Sequence, residues 1–115
     1  MKAKTKNAII TFLIILGIIT IVILSLTKKP AETDEELAKC IGSESTLYTQ
    51  LGCHACKTQE EMFGENYKYL NVIDCWYNKQ PCIDYNITAT PTWIIGGERA
   101  IRVQTIDKLK ELTGC

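Results

Sequence analysis

The stretch GCHACK, residues 52–57, places Cys53 and Cys56 with two residues between them. A pair with this spacing can bind a metal ion, form a structural disulfide or exchange disulfides with other proteins. The spacing alone does not select among these uses, so the sequence on either side of the pair has to decide.

The segments that flank the cysteine pair predict a strand that turns into a helix. Residues 45–51, STLYTQL, are rich in β-branched and aromatic side chains and are typical of a strand. Residues 54–66 contain no proline and include good helix formers. Cys53 and Cys56 therefore lie where the predicted strand ends and the predicted helix begins.

This position suits a reactive thiol. Unpaired N–H groups and the positive end of the helix dipole stabilise an anion, so we expect the pKa of the Cys53 thiol below its ordinary value of about 8.5. Cys56 follows one helical turn later and is expected to be more buried. Cys53 then attacks a partner's sulfur and Cys56 resolves the mixed disulfide. His54 can supply a positive charge or a hydrogen bond that favours the thiolate.

The sequence before and after this unit predicts further alternation of helices and strands. Thr33 is predicted to be the N-cap of a helix over residues 34–41, and Glu36 completes a capping box. Residues 69–75, YLNVIDC, are predicted to form a second strand. Residues 76–87 are predicted to be a loop that includes a short helix.

The C-terminal segments predict a hairpin and a final helix. Two apolar runs within residues 90–103 flank Gly96-Gly97, and a two-glycine turn between such runs is typical of a hairpin. Thr105 is predicted to cap the last helix, which Gly114 ends. Taken together, the order of elements predicts the α/β class.

The N-terminal part of the chain predicts a membrane span. Residues 8–26 carry no charge, and nineteen helical residues reach roughly 28 Å, close to the hydrocarbon thickness of about 30 Å. A cleaved signal peptide is the alternative, but its apolar core is usually shorter and is followed by a small-residue cleavage site. We therefore predict a retained anchor, a linker over residues 27–33 and one soluble domain over residues 34–115.

The flanking charges predict the orientation of the anchor. More basic residues precede the span than follow it, which favours a cytoplasmic N-terminus over residues 1–7. The domain over residues 34–115 would then lie outside the cytoplasm. The basic residues are Lys2, Lys4 and Lys6 before the span and Lys28 and Lys29 after it.

The net charge of the soluble part argues against two classes of partner. Residues 30–115 hold eight basic and thirteen acidic residues, which gives a net charge of −5. A negatively charged domain does not favour binding to nucleic acid. It also lacks the polybasic character of a surface that binds anionic lipids. The expected membrane contact is therefore the anchor at residues 8–26.

The cysteines fit the common metal motifs poorly. A zinc ribbon repeats the CxxC pair, whereas Cys75 and Cys82 have six residues between them. Attachment of c-type haem needs a histidine directly after the second cysteine, where Lys57 stands. A copper site of the chaperone type needs a distant histidine, but His54 is the only histidine. The sequence predicts no metal and no cofactor beyond the cysteines.

The soluble part resembles a thioredoxin-like domain. More narrowly, it is similar to the domains that are fused to, or partnered with, vitamin K epoxide reductase-like membrane proteins in bacteria and archaea. The resemblance covers nearly the whole soluble part. It is carried by Tyr48, Cys53 and Cys56, MFG at 62–64, IDC ending at Cys75, Cys82, ITATPTWIIGG at 87–97 and the C-terminal LKELTGC.

This resemblance implies a thioredoxin-like fold, in which helices flank a central mixed sheet. It implies that the Thr90–Pro91 peptide bond is cis and that Pro91 precedes a strand and faces the cysteine pair. It also implies that the backbone of Thr90 pairs with a bound substrate peptide.

The sequence departs from the family pattern near the cysteine pair. Gly52 stands where the family usually has an aromatic residue, and His54 and Ala55 replace the usual proline and histidine. Leu47 stands where thioredoxins bury an acidic residue. Proton transfer to Cys56 would therefore need another group or water.

Four cysteines remain outside the CxxC pair, and they allow three pairings. We expect Cys75–Cys82, which closes a short loop, and Cys40–Cys115, which joins the first and last helices of the soluble part. Both are expected to be structural disulfides, as is common outside the cytoplasm. The alternative is that Cys75 and Cys82 form a second redox pair that relays electrons.

The resulting hypothesis is a membrane-anchored extracytoplasmic thiol–disulfide oxidoreductase that passes disulfides to exported proteins. Cys53 and Cys56 are the expected catalytic residues, and His54, Thr90 and Pro91 are expected to tune the site and bind substrate. The resemblance implies reoxidation by a quinone-coupled membrane protein of the vitamin K epoxide reductase type. Two alternatives remain: a non-catalytic binding module held by three inert disulfides, and a thiol reductase for a specific client.

Overall fold

A computed structural model of the protein describes residues 2–27 and 33–115. The chain divides into two compact units, residues 1–31 and residues 32–115. Most of the predicted linker, residues 28–32, lies outside the described residues.

The described part of the first unit consists almost entirely of one long helix, α1, over Lys2–Leu26. Its 25 residues span about 37 Å, and none of its side chains is buried. It is long and apolar enough to cross a membrane, although a signal sequence can satisfy the same criteria. The hydroxyls of Thr11, Thr20 and Ser25 each donate to the carbonyl four residues earlier, at 2.8–2.9 Å. These polar groups are therefore satisfied within the helix, as a hydrocarbon environment requires.

The second unit begins with helix α2, Glu35–Glu44, and here the predicted cap is wrong. Asp34 occupies the N-cap position, without a capping hydrogen bond from its side chain. Thr33 is buried, and its hydroxyl donates to the Met62 carbonyl at 2.7 Å. A tertiary hydrogen bond to a distant segment has replaced the local capping box.

A four-stranded mixed sheet forms the centre of this unit. Its order is β2-β1-β3-β4, in which β1 and β2 are parallel and the other neighbours are antiparallel. Helices flank the sheet, so the predicted mixed α/β architecture is confirmed. The strands are β1 over Ser45–Thr49, β2 over Val72–Asp74, β3 over Thr92–Ile95 and β4 over Glu98–Ile101.

The connection between β1 and β2 differs in detail from the prediction. Helix α3 covers His54–Phe63, so it ends three residues earlier than expected, and Gly64 is its C-cap. A 3-10 helix over Gly64–Tyr69 follows directly. Tyr69, predicted to begin the second strand, therefore belongs to this helix, and β2 is only three residues long. The short helix predicted in the next loop is α4, over Lys79–Asp84.

The predictions for the C-terminal segments are confirmed. Gly96 and Gly97 have φ values of 57° and 83°, the left-handed backbone that a tight two-residue hairpin turn requires. Helix α5 covers Ile106–Thr113, and the Thr105 hydroxyl accepts the Lys108 N–H at 3.1 Å. The helix ends at Gly114, which is left-handed.

The core lies between the sheet and its helices. Trp93 of β3 and Phe63 of α3 are fully buried, and their ring centroids are 6.1 Å apart. This contact fixes the cysteine-bearing helix against the centre of the sheet. The buried apolar cluster consists of Ala38, Ile41, Leu47, Phe63, Leu70, Trp93, Ile95 and Leu109.

The Cys40–Cys115 disulfide joins α2 to the residue that follows the C-terminal end of α5. The two Cα atoms are 6.1 Å apart, and the cysteines are 75 residues apart in sequence. In the chain-entropy view, closing a loop of this length stabilises the folded state by up to about 4 kcal/mol. The pairing matches the one expected from the sequence.

Candidate active site

The CxxC pair lies at the junction of β1 and α3. Gly52, with a φ of 82°, turns the chain out of the strand. Since side chains are strained in this backbone conformation, glycine suits this position. The turn is closed by a hydrogen bond from the Cys53 N–H to the Gln50 carbonyl at 3.0 Å.

Cys53 is the N-cap of α3, and its sulfur takes the role that a capping oxygen usually has. Cys53 Sγ accepts the Cys56 N–H at 3.1 Å. Cys53 and Cys56 form a disulfide, with their Cα atoms 5.2 Å apart. When the pair is reduced, the same N–H and the helix dipole would stabilise a Cys53 thiolate.

The two sulfurs differ in access. Cys53 is partly exposed, whereas Cys56 is buried, with 6% of its surface accessible. An external sulfur can therefore approach Cys53 more readily than Cys56. His54 is exposed, at the rim of the same site.

The segment before β3 meets the cysteine pair. The Thr90 carbonyl oxygen lies 3.5 Å from Cys53 Sγ, and the Thr90 hydroxyl lies at the same distance and can donate to it. The Thr90–Pro91 bond is cis, and Pro91 is buried at the entrance to β3. The fold thus brings together Cys53, Cys56, Thr90 and Pro91, which the sequence analysis had singled out.

An open pocket of about 410 Å³ lies on one side of the pair. It adds two residues that sequence reasoning missed, Glu60 of α3 and Tyr67 of the 3-10 helix. Glu60 lies one helical turn after Cys56 on α3, whereas Tyr67 lies near the cysteines because the 3-10 helix packs beside α3. The pocket is lined by Thr49, Gln50, Leu51, Gly52, Cys53, His54, Cys56, Lys57, Glu60 and Tyr67.

Tyr67 is held in its neutral form. Burial raises the pKa of its phenol to about 12, and the negative charges of Glu60 and Asp74 act in the same direction. A raised pKa means that the phenol loses its proton only at strongly alkaline pH. Tyr67 can therefore donate a hydrogen bond at neutral pH but cannot accept a proton from Cys56.

Replacing Tyr67 with Phe should remove no ionisation step from the pH profile of cysteine alkylation in the reduced protein. A phenol that stays neutral between roughly pH 6 and 10 contributes no titration there. The same variant should lose amplitude near pH 12 in the absorbance titration of tyrosines. Loss of a step below roughly pH 10 from the alkylation profile, or an unchanged absorbance amplitude near pH 12, would contradict this assignment.

Gln59 is the buried polar residue that holds α3 in place, and sequence reasoning missed it. Its side chain is fully buried, and its Oε1 accepts the Trp93 Nε1–H at 3.1 Å and the Gln104 N–H at 2.7 Å. Its Nε2 donates to the Gln104 carbonyl at 3.1 Å. A signal was present, since Gln59 shares one helical face with Cys56 and Phe63.

The second short-range disulfide lies at the same edge of the sheet. Cys75 follows β2, and its N–H donates to the Thr49 carbonyl at the end of β1 at 2.8 Å. It is joined to Cys82 of α4, with a Cα–Cα distance of 5.8 Å. Because β1 and β2 are parallel, both disulfides lie at the carboxyl ends of their strands.

No protein-family model matches the chain. Within residues 2–27 and 33–115, the side chains of His, Cys, Asp and Glu form no group of three or more that could hold a metal ion. The Cys53–Cys56 disulfide, in its CxxC arrangement, is compatible with a redox motif.

Proposed function

We propose that the protein is a membrane-anchored thiol–disulfide oxidoreductase with a thioredoxin-like fold. The observation that carries this proposal is the placement of Cys53: its sulfur caps α3, accepts the Cys56 N–H and lies 3.5 Å from the Thr90 carbonyl. The mixed sheet with flanking helices supports the fold assignment. The sequence resemblance supports both.

In the proposed reaction, a thiolate of a reduced client attacks Cys53 Sγ. The Cys53–Cys56 bond breaks, a client–Cys53 disulfide forms, and Cys56 leaves as a thiolate that takes a proton. Because the pocket beside Cys56 is open, water can deliver that proton where Leu47 offers none. A second client thiolate then attacks the client sulfur, and Cys53 leaves as a thiolate. The client has lost two electrons and the cysteine pair has gained them.

The helix N-terminus favours this direction of transfer. Stabilising the departing Cys53 thiolate makes it a better leaving group and makes the disulfide more oxidising. The reduced pair must then pass its two electrons on. We propose that a quinone-coupled membrane oxidase of the vitamin K epoxide reductase type accepts them, and that α1 holds the domain beside it outside the cytoplasm.

Alkylation with iodoacetamide after mild reduction tests the proposal against an inert, disulfide-held binding module. We expect the Cys56→Ala variant to expose one thiol, Cys53, whose alkylation has a pH midpoint at or below about 7.5. The matched Cys53→Ala variant leaves the buried Cys56 and should react much more slowly. Resistance of the pair to mild reduction, or a Cys53 midpoint near the ordinary 8.5, would contradict the proposal.

The reduction potential separates an oxidase from a thiol reductase. Equilibration with glutathione, read by alkylation, gives this value directly. A potential near that of strong protein oxidants supports disulfide donation, whereas one near −270 mV, typical of thioredoxin, supports the reductase alternative.

A further inference from the structure

The segment after β2 carries a groove that the proposed chemistry does not use. Trp76 and Ile83 project from it with 57% and 67% of their surface exposed. Large apolar side chains clustered at a surface mark sites of interaction more often than chance placement. The groove, here called the Trp76 groove, has a volume of about 530 Å³ and is lined by Gln50, Cys75, Trp76, Lys79, Cys82, Ile83, Asn86 and Ile87.

The Trp76 groove is held in shape from two sides. The Cys75–Cys82 disulfide ties its floor to the end of β2. At its other end, the Arg99 guanidinium of β4 donates to the carbonyls of Tyr85 and Asn86 at 2.7 and 2.8 Å. A preformed groove binds a ligand without first having to order its own loop.

The groove is continuous with the cysteine site. A smaller cavity of about 240 Å³ shares Cys75, Cys82 and Ile87 with it and extends to Thr90. Thr90 in turn lies against Cys53 Sγ. A polypeptide that is joined to Cys53 and lies along Thr90 is therefore directed into the Trp76 groove.

Resting on the proposed function, we propose that the Trp76 groove binds an aromatic or large aliphatic side chain of an unfolded client, close in sequence to the cysteine that reacts with Cys53. Folded proteins bury such side chains, whereas reduced and unfolded chains expose them. The groove would thus select clients that still need disulfides. Lys79 adds a positive charge at the rim, so a basic residue beside the client's apolar side chain is disfavoured.

Two dithiol peptides test this with the full chain in detergent micelles. They are identical except for Phe or Ser two residues from the reacting cysteine. We expect oxidation of the Phe peptide to have a kcat/KM about tenfold higher, through a lower KM. Trp76→Ser should remove this preference and leave the Ser peptide unaffected. The matched control is Tyr77→Ser, because Tyr77 is exposed beside the groove but is not among its lining residues.

Equal losses for both peptides in Trp76→Ser, or equal rates in the parent, would overturn the proposal. A preference that is intact in Trp76→Ser, together with weakened binding to phosphatidylcholine vesicles, would assign the surface to the membrane instead. Binding of cysteine-free versions of the peptides, followed by fluorescence anisotropy, separates this proposal from the proposed function. If the peptides bind through the Trp76 groove but the dithiol versions are not oxidised, the proposed function alone is wrong. If they bind with no preference for Phe, the proposal for the groove is wrong.

The Cys75→Ser/Cys82→Ser double variant gives an independent test. Loss of the disulfide should loosen the groove, so we expect the preference for the Phe peptide to fall while reaction with dithiothreitol is unchanged. If the dithiothreitol reaction also slows severalfold, the pair takes part in electron transfer and its role as the floor of the groove is wrong.

Discussion

The Cys53→Ala variant is expected to lose disulfide transfer to a reduced, unfolded client, by on the order of 10³-fold or more. Cys53 carries the accessible sulfur of the pair, at the start of α3 and opposite Thr90. The remaining Cys56 is buried and has no partner with which to form the disulfide that a client thiolate attacks. The measurement is recovery of client activity with the oxidised full chain in detergent micelles.

Two matched variants show whether the loss of disulfide transfer comes from the cysteine pair or from a general loss of stability. Cys56→Ala cannot form the Cys53–Cys56 disulfide and should oxidise no reduced client. Mixed with an oxidised client, its Cys53 thiolate should attack the client disulfide and form a mixed disulfide that no Cys56 resolves, visible as a gel shift. The Cys40→Ala/Cys115→Ala variant removes a distant disulfide and should lower the free energy of unfolding while retaining transfer. Should Cys53→Ala transfer disulfides as well as the parent, the proposed function is wrong.

The parts of the fold that the sequence predicts are those that local interactions determine. The glycine turn between β3 and β4 and the Thr105 cap of α5 each depend on residues within a few positions of one another. The same is true of the strand-to-helix turn at Cys53, where Gly52 and the helix N-terminus act together. These features therefore follow from turn and capping rules alone.

The parts that the sequence does not predict depend on contacts between distant segments. Thr33 has the sequence context of an N-cap, but its hydroxyl donates to the Met62 carbonyl, 29 residues away. Tyr67 joins the candidate site only because the 3-10 helix packs beside α3. The Trp76 groove likewise requires β4 to bring Arg99 against the loop after α4. Turn and capping rules do not predict these contacts, because the residues that form them are far apart in the sequence.

The candidate site shows the same contrast. The residues proposed to react or to bind substrate can be predicted from the sequence, whereas the residue that holds them in place cannot. Cys53 and Cys56 are recognisable from their spacing, and Thr90 and Pro91 from the resemblance. Gln59 supports them through bonds to residues 34 and 45 positions away. A glutamine on a helix is usually a surface residue, so its role is visible only once the packing of α3 is known.

The Gln59→Leu variant is expected to lose about 2–4 kcal/mol of the free energy of unfolding, a large share of the roughly 5–15 kcal/mol typical of a domain. Leucine fills much of the same space but leaves the Trp93 Nε1–H and both backbone groups of Gln104 without their partner. The Trp93 group is fully buried, so water cannot replace the lost bond there. Urea unfolding of the full chain in detergent micelles, followed by tryptophan fluorescence, gives the difference.

The Gln104→Ala variant is the control that locates the effect. The Gln104 side chain bonds exposed carbonyls of Ile101 and Arg102, while its backbone groups are the ones that meet Gln59. Removing the side chain alone should therefore change stability by less than about 1 kcal/mol. Comparable losses in the two variants would show that the segment before α5 is held by the Gln104 side chain. A large loss in Gln59→Leu alone would show that one buried amide fixes the cysteine-bearing helix to both β3 and the segment before α5. Cys53 alkylation in that variant should then lose its low pH midpoint.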